Sequence, residues 1–413
     1  MSQNPSSLSS SAPAGAPLRG VRVLDLTRLL PGPVCALHLA DLGAEVIKIE
    51  DTGAGDYAAA ALRTLVNRNK RGLALDLKQP GGVEALLRLC ESADVLVEGF
   101  RPGVMERLGV GYAAVAARNP RIVYCSITGY GQTGPYRDAP GHDMNYSGWA
   151  GVADQMGVPG QPPALSNLPV ADLLGGSMTA AMGILAALFD ASRTGTGRHV
   201  DIAIADGVLA HAVLPLAAVN THGQADAVGQ SKLTGALPCY AMYATADGRY
   251  LAVAALERKF WDAFCARIGR ADLQALHYPL APAQAQWVRA ELQALIGAHP
   301  LAWWTDKLRD ADCCVTPVLR LQEALDNPQF AARAMVLPLD AGASATATAS
   351  AAATNPTPDR AQRQFACPVK MTGFEFSVRQ PAPRPGEHTE DVLREAGYSA
   401  AEIQALRSRG AVG

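Results

Sequence analysis

One imidazole and two carboxylates in this 413-residue sequence sit where they could move protons. His142 lies in Gly141-His142-Asp143-Met144-Asn145-Tyr146, among small and polar neighbours and ahead of an aromatic, Gly-rich stretch. Histidine changes charge near neutral pH, so it suits general acid or base work. Asp172 opens the long apolar segment 172–191. An N-cap that accepts a backbone N–H is a sufficient structural reason for Asp there. The functional reading is an acid–base or nucleophilic carboxylate. Glu257 ends the apolar run 251–256, where an acid is out of character, although from the sequence alone an ordinary surface strand end is the favoured explanation.

Other motifs carry less. Gly129-Tyr130-Gly131-Gln132-Thr133-Gly134 contains GxGxxG after a strand, but Pro135 and the polar sequence beyond it do not open a helix, so the dinucleotide context is missing. Gly175-Gly176 fits either tight helix packing or close approach of a ligand to the backbone. The sequence has no phosphate-cradling GxxxxGK[ST] and no GxSxG elbow. Arg68, Lys70 and Arg71 cluster, Lys78 follows a strand end, and Arg101 and Arg107 flank a Pro-Gly turn. At the C-terminal ends of parallel strands such groups would grip phosphates; the alternative is a solvated rim. The eight cysteines form no CxxC pair, so they read as buried free thiols and not as a metal site.

The elements that would position these residues alternate. Strand, helix and strand succeed one another over 21–50, and the alternation continues through 73–77, 80–93, 94–98, 103–109 and 121–127. That pattern predicts a doubly wound, Rossmann-like, mostly parallel α/β sheet. A long helix over 172–191, a strand over 199–204 and a helix over 207–224 follow. From Lys232 the texture changes to a hairpin and three helices, which predicts a smaller α+β domain. The expected organisation is a disordered tail over 1–17, the first part of a large α/β domain over 18–225, the small domain over 232–329, a low-complexity linker over 341–358, and a return to the large domain over 359–413.

Lys plus Arg total 36 against 38 Asp plus Glu, which argues against a nucleic-acid binder relying on bulk charge. No segment reads as a transmembrane helix, the longest apolar stretch being 178–189. The Ser-, Pro- and Ala-rich start is neither a signal nor a convincing transit peptide, and the last residues carry no peroxisomal address. A soluble cytoplasmic protein without membrane or nucleic-acid partners is expected.

Taken together, the motifs resemble the α-methylacyl-CoA racemases, a branch of the family III CoA-transferases. The resemblance rests on Leu30-Pro31-Gly32-Pro33, on Lys70-Arg71 with Leu75-Asp76-Leu77-Lys78, and on Phe100 to Leu108 with its Arg-Pro-Gly-Val-Met-Glu-Arg-Leu. It continues through the Gly141 to Tyr146 box, Ala171-Asp172-Leu173-Leu174-Gly175-Gly176, the Thr-Gly-x-Gly of 194–197, Ala254-Ala255-Leu256-Glu257 and the segment 312–319. It implies that His142, supported by Glu257, is one base and Asp172 the other. It implies CoA contacts from Lys78, Gly99, Phe100, Arg101, Arg107, Gly141, Asp143, Asn145 and Tyr146. It also implies an acyl-CoA substrate, no cofactor beyond the CoA of the substrate, and an interlocked homodimer in which Glu257 reaches His142 of the other subunit. Two departures stand out: Asp51 replaces an Arg that many members carry near the adenine, and 341–358 looks inserted.

Inverting a carbon next to a thioester carbonyl requires proton removal on one face and delivery on the other. Asp172 would need its pKa lifted by burial to serve as an acid near neutrality. The helix dipole at its start would oppose that lift, and N–H groups of Asp172 and its neighbours would stabilise the enolate oxygen. The other reading is a CoA-transferase in which Asp172 is the nucleophile.

Overall fold

In a computed structural model that describes residues 15–53, 59–339 and 362–413, six short apolar runs pair as one sheet. They are β1 (Arg22–Asp25), β2 (Glu45–Glu50), β3 (Lys70–Ala74), β4 (Val95–Glu98), β5 (Val123–Thr128) and β6 (His199–Ala203). The order is β3-β2-β1-β4-β5-β6 with every pairing parallel, the doubly wound arrangement expected. Alternate side chains feed two cores, one on each face. Val23, Val46, Val95, Val123 and Cys125 face one, and Leu24, Ile47, Leu73, Leu96 and Tyr124 face the other.

The connecting helices are α1 (Pro31–Asp41), α2 (Ala60–Val66), α3 (Pro80–Cys90), α4 (Val104–Arg107), α5 (Tyr112–Arg118) and α6 (Asp143–Trp149). Proline opens α1 and α3, where a helix has no N–H bond to lose. An eight-residue π-helix, Ala171–Met178, then runs into α7 (Thr179–Thr194). The sequence suggested one helix over 207–224. The chain instead forms α8 (Ile204–Ala210) and α9 (Val213–His222), and Gly207 packs its backbone against Gly175, where a Cβ would come within 2.4 Å of the carbonyl oxygen.

The uninterrupted helical stretch Ala171–Thr194 is long and apolar enough to cross a membrane by length and composition, with 39% of its apolar window buried in the protein. The sequence expectation of no such segment is therefore corrected. It counted only the purest run, 178–189, whereas the helix extends over Gly, Ser and Thr that lower purity but not length.

The chain divides into two compact units: Met1–Val152, Ser166–His211 and Ala331–Gly413 in the first, Ala153–Leu165 and Ala212–Phe330 in the second. Residues 153–165 and 212–225, assigned by sequence to the large domain, group with the second unit. That unit carries the antiparallel strands β7 (Tyr240–Ala244), β8 (Tyr250–Ala254) and β9 (Val315–Pro317). Its helices include α10 (Arg258–Arg267), α11 (Pro282–Ile296) and α12 (Leu301–Leu308) around buried Trp261 and Trp304. In the first unit the C-terminal residues return to β3: the Thr389 hydroxyl accepts the Ala74 N–H (3.2 Å) and Leu75 bridges Val412. Of the expected disordered tail over 1–17, residues 1–14 lie outside the described residues, as does the expected linker 341–358, whereas Ala16 is buried against Leu42, Cys367 and Phe374, so order begins before Leu18.

Candidate active site

The strand order reverses between β1 and β4, and open sheets bind ligands beyond the C-terminal strand ends at such a point. Loops from β1, β4 and β5 line it. Gly99, after β4, lies next to Thr27 after β1: a Cβ there would be in ordinary contact with the Thr27 side chain at 3.9 Å. The Phe100 N–H donates to Glu98 Oε2 (2.8 Å), and the Arg28 guanidinium lies 5.3 Å from the Phe100 ring centroid. Arg101 and Arg107 are exposed.

The loop after β5 leads to α6. The Tyr146 ring fills the space that side chains at Gly129 and Gly141 would need, 2.4 Å and 2.6 Å from their Cβ positions. Its hydroxyl donates to the Gly141 carbonyl. The first glycine of the GxGxxG string therefore serves Tyr146 packing, in keeping with the missing dinucleotide context. Burial pushes the Tyr146 phenol up to about 12, the nearby Asp172 charge adds to this, and the Arg101 guanidinium opposes it. Arg101 and Asp172 thus each lie within electrostatic range of Tyr146.

His142 caps α6 in an extended conformation, exposed, with its N–H donating to Asn145 Oδ1 (3.0 Å). Asp143, the next residue, accepts the Asp172 N–H through Oδ1 (2.9 Å). That bond ties the start of α6 to the start of the π-helix and brings the two candidate proton carriers together. Asp172 is not an N-cap, as the sequence suggested: Val170 holds that position, and Asp172 sits in the first π turn. Nor are its neighbouring N–H groups free for an enolate. The Asp172 N–H goes to Asp143 and the Leu173 N–H to the Pro169 carbonyl (3.0 Å).

The contest between dipole and burial at Asp172 is settled by this arrangement. The positive helix start is answered by the Asp143 carboxylate, so Asp172 gains little from it. Burial, then the adjacent Asp143 charge, raises the Asp172 carboxyl to about 6, with the His142 imidazole pulling the other way. A π-helical stretch frequently marks a functional site, and here it carries the candidate acid.

Other sequence candidates fall elsewhere. Arg68, Lys70 and Arg71 are not a phosphate rim. Arg68 pairs with Asp41 in the interior, Lys70 with Asp25 (3.0 Å), and Arg71 with Glu45 and Glu395 (2.8 Å each). A buried carboxylate draws such cations inward, because neither charge tolerates burial alone. Lys78 is exposed in the turn after β3, two strands from β1. Asp51 accepts the Gly53 N–H (2.7 Å), while Arg63, the next Arg along the described chain, is committed to Glu50. Gly175 and Gly176 are packing glycines against α8 and Pro31. Glu257 belongs to the second unit, exposed at the start of α10, with its charge near Tyr278 and Cys314. Cys313 is buried and Cys314 exposed, and all eight cysteines are free.

Sequence reasoning missed Glu98, a buried carboxyl directly beneath the β4 loop. The same signal that drew attention to Glu257, an acid closing an apolar strand, was present in Val95-Leu96-Val97-Glu98. Among the described residues no cluster of three or more His, Cys, Asp or Glu could hold a metal.

The alpha-methylacyl-CoA racemase of Homo sapiens is 33% identical over 393 residues, covering 95% of this chain and 96% of the relative. The acetyl-CoA:oxalate CoA-transferase of Acetobacter aceti is 34% identical over 337 residues, covering 78% of this chain and 85% of the relative. A CAIB/BAIF family protein from Brucella suis has the same fold, with a TM-score of 0.77 at 25% identity over 92% of this chain and 99% of that one. Residues 18–389 match the model of CoA-transferase family III, and the chain belongs to that family of enzymes.

Proposed function

We propose that this enzyme inverts the α-carbon of 2-methyl-branched acyl-CoA thioesters by two-base proton transfer through an enolate. The observation that carries the reading is the pairing of an imidazole with a carboxyl held at about 6, near enough to neutrality to work as either acid or base. His142 removes or returns the proton on one face and Asp172 acts on the other. Asp143 and Asn145 hold the two backbones at a fixed spacing. Tyr146 stands near both Asp172 and Arg101, and the loop of Gly99, Phe100 and Arg101 receives CoA together with Gly141, Arg107 and Lys78. The substrate brings the CoA, and no further cofactor enters. The racemase relative, similar over almost its whole length, supports this choice.

Glu257 supports His142 from the partner subunit of an interlocked homodimer. The stripe formed by Met178, which closes the π-helix, and Met182, Leu185 and Phe189 of α7, all exposed and at helical spacing, favours burial against another copy. On this reading the helix serves an interface and a core, not a bilayer, and the enzyme works in the cytoplasm.

The transferase relative supports a second reading, in which the Asp172 carboxylate attacks an acyl-CoA, forms a mixed anhydride and releases CoA thiolate. One experiment separates the two. A single epimer of a 2-methylacyl-CoA is incubated in deuterated water. Inversion with deuterium appearing at the α-carbon is expected, and His142→Ala and Asp172→Ala should each abolish it. Transfer of CoA to an added free acid without α-exchange would replace the first reading with the second.

A further inference from the structure

A chain of polar groups crosses three strands beneath the β4 loop. Glu98 closes β4 and is 4% exposed. Its Oε2 accepts the Phe100 N–H at 2.8 Å, and the Ser126 side chain on β5, its register partner, is near enough to favour its charged form. Ser126 Oγ in turn lies 3.0 Å from His199 Nε2 on β6. The His199 ring is stacked on Tyr112 (5.2 Å between centroids) and set edge-on to Tyr124 (5.3 Å). His199 is exposed, so the chain leads from solvent to a buried carboxyl.

A carboxyl is an expensive choice here. The charges facing Glu98 are Glu106 from the α4 side and Asp201 from β6, both acidic, with Tyr124 and Ser126 on β5. The leading charges acting on it therefore add to the cost of its burial. A glutamine could accept the Phe100 N–H and bond Ser126 without that cost. What glutamine lacks is a proton to lose.

Resting on the CoA reading of the β4 loop, we propose that Glu98 is a positioning residue whose ionisation, relayed through Ser126 and His199, sets the firmness with which the Gly99–Phe100–Arg101 loop is held for CoA. Ionised, the carboxylate accepts from both the Phe100 N–H and the Ser126 O–H, and Ser126 Oγ accepts from the Nε2–H of His199. Protonated, Glu98 donates to Ser126, Ser126 donates to Nε2, and only the weaker carbonyl acceptor remains for Phe100. A proton added at Glu98 reverses the Glu98–Ser126 and Ser126–His199 bonds, the Nε2 proton passing to solvent as the imidazole takes its Nδ1–H tautomer, while the Phe100 N–H goes on donating. Burial first, then Glu106 and Asp201, raises this carboxyl to about 7, opposed by the Ser126 and Phe100 bonds, so the reversal falls in the working pH range.

The test measures CoA affinity by calorimetry from about pH 6 to about pH 8, alongside KM and kcat, for the wild type, Glu98→Gln and Ser126→Ala. Wild-type affinity should rise with pH, and Glu98→Gln should remove the part of that rise not due to titration of CoA itself. At high pH Glu98→Gln should bind CoA roughly tenfold more weakly, the loss of one charge-assisted bond, with KM affected more than kcat. Ser126→Ala removes a bond that favours ionisation, so the midpoint should move to higher pH. In ligand-free protein the His199 imidazole, followed by NMR, should titrate differently once Glu98 is glutamine. A wild-type pH slope preserved in Glu98→Gln, or an unmoved midpoint in Ser126→Ala, would overturn the inference while leaving the CoA reading intact. Failure of the wild type to bind CoA at any pH would overturn both.

Discussion

Asp143 decides the chemistry of a residue that it precedes by 29 positions. Its Oδ1 fixes the Asp172 backbone at 2.9 Å, and its charge is the second cause, after burial, of the raised Asp172 carboxyl at about 6. The two effects separate in Asp143→Asn, which keeps an amide oxygen for the N–H but removes the charge. The Asp172 pKa should then fall toward the ordinary range. Because the folded pKa is raised, Asp172 ionises only as pH climbs through about 6 in the wild type, and at a lower pH in the variant. The limb of the pH–rate profile that Asp172 contributes should therefore move acid-ward, read as kcat/KM for α-proton exchange across the acid range. A limb that stays in place would assign the raised value to burial alone. Residue types made part of this legible beforehand. An imidazole in a polar loop and a carboxylate opening an apolar helix are local features, and both were found. That Asp143 would claim the helix start, leaving Asp172 protonatable, depends on the packing of α6 against the π-helix and has no signature in spacing.

The elements show the same division. The alternation of apolar strands and amphipathic helices points to the parallel sheet, because β1 to β5 are short and largely buried on both faces, with only the edge strand β6 partly exposed. β3 was placed late, at 73–77, because the charged Lys70 and Arg71 at its start read as loop; their ion pairs with Asp25, Glu45 and Glu395 allow them inside. The π-helix was read as ordinary α-helix, since periodicity cannot distinguish one from the other over eight residues. Its pairing with α8 makes a prediction. A Cβ at Gly175 would lie 2.4 Å from the Ile204 carbonyl oxygen and 3.0 Å from the Val208 nitrogen, both backbone atoms that a rotamer change cannot move. Gly175→Ala should cost about 1 to 3 kcal/mol of stability, as overpacking of a close-packed core typically does. Urea denaturation monitored by tryptophan fluorescence reads this directly. A change within about 0.5 kcal/mol, the range of ordinary surface substitutions, would mean that the π-helix and α8 can spread at little expense.

At the scale of the molecule, the proposed proton carriers belong to different units, His142 and Asp172 to the first and Glu257 to the second. In the proposed homodimer each site takes its first-unit residues from one copy and Glu257 from the other. Complementation tests that claim without any structure of the dimer. His142→Ala and Glu257→Gln are each expected to be inactive or nearly so alone. In a mixed dimer, one site combines both defects, while the other takes native His142 from one copy and native Glu257 from the other. Random pairing makes about half of the dimers mixed, and half of their sites intact, so co-expression should restore roughly a quarter of wild-type activity per subunit. If a site instead drew both residues from a single copy, every site would carry a defect and co-expression would restore nothing. The recovered fraction therefore reports how the active site is shared between chains, and it does so through activity that neither variant possesses by itself.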